Sequence, residues 1–65
     1  MTADRIRAVV ADDSVLLRDG VVRLLTDDGI DVVAAVGDAG ALLDAVTEHE
    51  PDLCLVDVRM PPTHT

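Results

Sequence analysis

Three short apolar runs, rich in β-branched residues and separated by segments of helical period, restrict this chain more than any other feature. The first, Ile6 to Ala11 (IRAVVA), closes on the polar triplet Asp12, Asp13 and Ser14. The second, Ile30 to Val36 (IDVVAAV), leads into a loop at Gly37, Asp38, Ala39 and Gly40. The third, Leu53 to Val58 (LCLVDV), is entered through Pro51 and Asp52 and is apolar throughout except at Asp57. Runs of this kind, bounded by turn residues, read as strands. Between the first two, Leu17, Val21, Leu24 and Leu25 recur at helical spacing. Asp13 or Ser14 is placed to cap that helix, and Asp27, Asp28 and Gly29 stop it with a glycine suited to positive φ. Leu42, Leu43 and Val46 mark a second helix, ended by Pro51, which pushes residue 50 out of the α region.

The order β-α-β-α-β implies right-handed crossovers and a parallel sheet, the beginning of a doubly wound α/β fold. The third run, apolar on both faces, has the pattern of a central strand covered on both sides. Cys54 within it reads as a small core residue, and a lone cysteine excludes a disulfide framework. In open α/β sheets ligands bind beyond the carboxyl ends of the strands. Here those ends carry Asp12 and Asp13 on the first strand and Asp57 on the third, and the carboxylates converge if these strands are neighbours.

Composition narrows the chemistry. The net charge is -8, with five arginines and no lysine, and aromatic residues are absent. An acidic chain without a basic stripe or stacking rings is a poor partner for nucleic acid. No stretch approaches the roughly 18 apolar residues of a membrane span, and the N-terminus lacks a signal-peptide core, so the expectation is a cytoplasmic protein. Gly37 and Gly40 form no phosphate-cradling pattern. His49 reads as a solvated residue suited to a helix C-terminus, and His64 as part of a terminal tail.

Paired acids after a strand often do no more than cap the next helix. Asp57 is harder to explain that way, because an acid inside an apolar strand is costly unless solvated or paired. Neighbouring carboxylates repel one another, and a hard divalent cation relieves that repulsion. Mg2+ takes oxygen ligands, keeps several waters and suits an open acidic cluster. With such an ion beside it, one carboxylate can attack a phosphorus centre and form an aspartyl-phosphate.

AVVADDSVLLRDG, the Pro51-Asp52-Leu53 entry and LVDVRMPP together resemble the receiver domain of two-component response regulators, and MPPTHT resembles the subgroup with a LuxR-type helix-turn-helix output domain. The resemblance implies a flavodoxin-like fold, truncated here to β1-α1-β2-α2-β3, with residues 1–65 forming a partial receiver domain and the strand order 2-1-3 taken from the family. It implies that Asp57 accepts a phosphoryl group from a sensor histidine kinase. It further implies that Asp13 binds Mg2+ directly, Asp12 largely through water, and the backbone carbonyl of Arg59 as a further ligand. Met60 and Pro61 match the loop after the acceptor, and Pro62 stands where glycine is more usual. The hydroxyl residue and the lysine that follow later strands in the family have no counterpart, so any self-catalysed phosphotransfer should be weak.

Two other expectations follow. A chain of this size buries only about 60% of its unfolded surface, and an exposed third strand invites pairing, so a homodimer or larger assembly through that strand is expected. The alternative function is a short protein that acts by association with a kinase or regulator and is never phosphorylated. An aspartate-nucleophile phosphohydrolase fits less well, because such enzymes generally want a second aspartate where Arg59 stands.

Overall fold

The computed structural model describes residues 5–57. Strand β1 (Arg7–Ala11), helix α1 (Val15–Asp27), strand β2 (Asp31–Val36), helix α2 (Ala39–His49) and strand β3 (Leu53–Val56) follow in that order. The strands form one sheet in the order β2-β1-β3, and both pairings are parallel. The doubly wound arrangement expected from the alternating runs is therefore present. Because the chain steps from β1 to β2 and then crosses back to β3, right-handed crossovers put α1 and α2 on opposite faces.

Each helix ends where local chemistry says it should. Ser14 is the N-cap of α1, its side chain accepting from the Leu17 N–H at 3.4 Å. At the other end the Gly29 N–H donates to Thr26 O and the Ile30 N–H to Leu25 O, with Gly29 at φ 88. That pairing is a Schellman cap, and its left-handed residue favours glycine. Asp38 caps α2 by accepting from the Ala41 N–H at 2.8 Å. Glu50 closes α2 in the left-handed region, at φ 47. Pro51 excludes the α region as expected, but the residue before it turns to positive φ instead of extending.

The core is β1. Ala8, Val9, Val10 and Ala11 are all buried, joined by Ala45 from α2. Fully burying a valine such as Val9 or Val10 stabilises by roughly 1.5–3 kcal/mol. Both helices pack on β1 and β2, and among the described residues neither packs on β3. This corrects two readings made from the apolar pattern, and agrees with the exposed third strand expected from the order 2-1-3. The strand covered on both faces is β1, whereas β3 is an exposed edge with Leu53, Leu55 and Val56 between 37% and 45% accessible. Cys54 is exposed, not a core residue, for the same reason. Leu17, Leu24 and Leu43, which share the helical period of the core positions, are also exposed. A sheet this narrow leaves part of each apolar helix stripe without a floor.

The amino ends of β1 and β3 are clamped together. The Arg7 N–H donates to Asp52 Oδ2 at 3.0 Å, and the Asp52 N–H returns a bond to Arg7 O at 2.8 Å. Arg7 Nη1 also donates to His49 O at 2.6 Å, a cation on the last carbonyls of α2. Asp52 thus enters the register of the sheet as well as its turn.

Candidate functional site

The register decides what meets at the carboxyl edge. Ala8 pairs with Leu53 and Ala11 with Val56, so the residues following each strand, Asp12 and Asp57, emerge side by side. The Asp57 N–H donates to Ala11 O at 2.9 Å, and the Asp12 N–H donates to Val36 O at 3.0 Å on the other flank. Both backbones are therefore tied to the sheet at the point where their side chains leave it. Asp13 follows in the turn before α1.

One carboxylate oxygen from each of Asp12, Asp13 and Asp57 lies within 4.8 Å of the others. Asp12 and Asp57 are half-buried and Asp13 is exposed, so the cluster opens to solvent on one side. Asp12 is fixed further by its Oδ1, which accepts from the Ser14 N–H at 2.9 Å. A carboxylate has about four acceptor positions, so this bond leaves Asp12 able to take a cation. The donor set is all hard oxygen, partly solvated, and matches what Mg2+ requires when it retains several waters. Asp12, Asp13 and Asp57 are the residues that would hold it.

Beside the carboxylates lies an open cleft of about 200 Å³, walled by Val21 of α1 and by Leu55 and Val56 of β3, with Asp12 and Asp57 on its lining. The acidic cluster therefore borders an apolar trough that α1 covers on one side only. Arg59, Met60, Pro61, Pro62 and His64 lie outside the described residues, and with them the carbonyl expected as a further metal ligand. His49 stands at the far end of α2, at the opposite edge of the sheet from the cluster, where its carbonyl accepts from Arg7.

One residue near the site was not legible in the periodicity. Arg18 falls on the polar side of α1 in a helical reading, yet its Nη1 turns back to donate to Asp12 O at 3.2 Å. A Cβ at Gly37 would lie only 3.0 Å from that same nitrogen. The available signal was small: an arginine one turn into a helix that starts beside an acidic pair, and a glycine ending the neighbouring strand.

Comparison with known proteins gives a consistent picture. The family model described as "Response regulator receiver domain" matches residues 8–64. A protein-glutamate methylesterase/protein-glutamine glutaminase of Haloarcula marismortui is 51% identical over 59 residues, covering 91% of this chain and 16% of the relative. A Mycobacterium tuberculosis protein named "Probable transcriptional regulatory protein NarL" is 44% identical over 59 residues, covering 89% of this chain and 27% of the relative. Among solved structures, the signal receiver domain of NarL from Mycobacterium tuberculosis superposes with a TM-score of 0.84 at 41% identity, covering 89% of this chain and 48% of that one. The chain thus spans about half of that domain and a smaller share of the longer relatives. Those relatives carry names for very different activities, and what this chain shares with each is a stretch of similar length.

Proposed function

The chain belongs to the response regulator receiver domain family, and from that premise we propose that it is a phosphoacceptor signalling module in which Asp57 takes a phosphoryl group from a histidine kinase. The observation that carries this reading is the convergence of Asp57 with Asp12 and Asp13 within 4.8 Å at the carboxyl edge of β1 and β3. Topology supports the choice of edge, since a ligand site in a doubly wound sheet lies where strand order reverses, and here it reverses at β1.

In the proposed reaction a carboxylate oxygen of Asp57 forms a bond to phosphorus as the phosphorus–nitrogen bond of the kinase phosphohistidine breaks. The imidazole nitrogen leaves with the electron pair, and an acyl phosphate remains on Asp57. When bound, Mg2+ supplies neutralisation of charge on the phosphoryl oxygens. Asp12, Asp13 and Asp57 would hold that ion. The hydrogen bonds from the Asp12 and Asp57 amides to Val36 and Ala11 keep the acidic residues at fixed separation, so little reorganisation is needed when the phosphoryl group arrives.

The chain is in this reading a signalling module and not an enzyme in its own right. The similarity to NarL supports a place in a transcriptional regulator, of which these residues form part of the receiver. No described helix is long and apolar enough to cross a membrane, and the proposed setting is the cytoplasm. The open apolar edge of β3 supports pairing with a second copy of the chain.

Incubation with acetyl phosphate and Mg2+ tests the reading without knowledge of the kinase. A phosphate-affinity gel should show a shifted band that is lost with chelator and in Asp57→Asn. A band that survives Asp57→Asn, or none in the folded wild-type chain, contradicts it.

A further inference from the structure

Asp12 is held at three points. Its N–H donates to Val36 O at 3.0 Å, its Oδ1 accepts from the Ser14 N–H at 2.9 Å, and its carbonyl accepts from Arg18 Nη1 at 3.2 Å. The first two bonds are local consequences of sheet pairing and of the turn into α1. The third comes from a side chain that starts one helical turn further on: the Arg18 N–H donates to Ser14 O at 2.8 Å, so its backbone is already part of the regular helix. The guanidinium therefore joins the body of α1 to the loop that carries the acidic pair.

The same nitrogen lies against Gly37, where β2 gives way to the loop before α2. A Cβ there would stand 3.0 Å from Arg18 Nη1, closer than side-chain packing normally allows. Gly37 is not at positive φ, and a side chain there would make the Arg18 guanidinium give by a few tenths of an ångström. Arg18 is half-buried in this position, although it begins on the polar side of the helix. Ordering a long arginine costs side-chain entropy, which an exposed helix residue would keep.

We propose that Arg18 is a positioning residue for the acidic cluster: by donating to the Asp12 carbonyl from the body of α1, with its guanidinium beside Gly37, it holds the loop after β1 and fixes Asp12 for cation binding. This rests on the metal reading of the cluster given above. Its physical basis is that groups behind metal ligands set ligand orientation, and their loss typically lowers metal affinity about 10- to 100-fold. Arg18 touches neither the ion nor the phosphoryl group in this account. It acts through Asp12.

The test uses Arg18→Met, which keeps much of the apolar stem and removes the donors, together with Gly37→Ala, which keeps the arginine and crowds its guanidinium. Mg2+ affinity is measured by titration calorimetry and amide exchange by NMR, with Ile30 as internal control because its N–H is bonded to Leu25 at the far end of α1. Arg18→Met should weaken Mg2+ binding by about tenfold or more and accelerate exchange at Ser14 while leaving Ile30 unchanged. Gly37→Ala should give a smaller effect in the same direction, and the double variant should be no worse than Arg18→Met, since both changes disrupt one bridge. Unchanged Mg2+ affinity and Ser14 exchange in Arg18→Met would overturn the proposal, as would equal acceleration at Ser14 and Ile30, which marks a global loss of stability. A wild-type chain that bound no Mg2+ would instead contradict the metal reading, and Ser14 exchange would still decide whether the bridge holds the loop.

Discussion

Individual residues at both ends of the sheet serve one result, the placement of Asp57 beside Asp12. The carboxyl-edge residues could be picked out from sequence because an acid in an apolar strand is expensive, and a pair of acids closing another strand lies on the same edge of a parallel sheet. Asp52 was legible only as a turn residue. In the structure it accepts from the Arg7 N–H and donates to Arg7 O, and so anchors the β1–β3 register from the end opposite the cluster. A slip of one residue would send every β3 side chain to the other face. Asp52→Ala should cost about 1 kcal/mol through the lost hydrogen bond, read as a lower chemical-denaturation midpoint, and should also weaken Mg2+ binding although Asp52 is remote from the ion. Full Mg2+ affinity in a destabilised Asp52→Ala would show that the register does not depend on this clamp. Arg18 could not be found by spacing, since its long side chain returns toward residues that its helical position faces away from.

The elements themselves follow the apolar runs closely, and the caps at Ser14, Gly29 and Asp38 lie where polar and glycine residues interrupt them. What spacing could not say was which strand would be central. β1 and β3 are both nearly continuous in apolar residues, and only the crossover geometry puts β1 between its partners. The same ambiguity makes Cys54 read as a core residue, whereas it is exposed. Among the described residues β3 instead presents a free edge with exposed Leu53, Leu55 and Val56, a template for another strand. Size-exclusion chromatography with light scattering should therefore give a dimer or larger species at tens of micromolar. Because each chain carries a net charge of -8, association should strengthen as salt screens the repulsion. Cys54→Lys, a charge on the exposed strand outside the acidic cluster, should shift the species to monomer. A folded monomer for the wild-type chain at every salt concentration contradicts strand pairing.

For the molecule as a whole, the fold and the acidic site are built from the same feature, the reversal of strand order at β1. It places two strand ends together, and each delivers an aspartate at the edge. The fold class was legible because alternating strands and helices leave few chiral arrangements. The family was legible because acids, strands and loop residues occur together in order, although no one of them is decisive. The distribution of burial was not, since helix stripes and strand faces are written for more covering layers than the described residues supply. The central claim is that Asp57, with a cation at Asp12 and Asp13, forms a phosphoryl-accepting site. Fluorine NMR of beryllofluoride, a phosphoryl mimic, tests it most directly. The account predicts a bound resonance with wild-type protein and Mg2+ that disappears on chelation and in Asp57→Asn, whereas a bound resonance that persists in Asp57→Asn, or none with the folded wild-type chain, would contradict it.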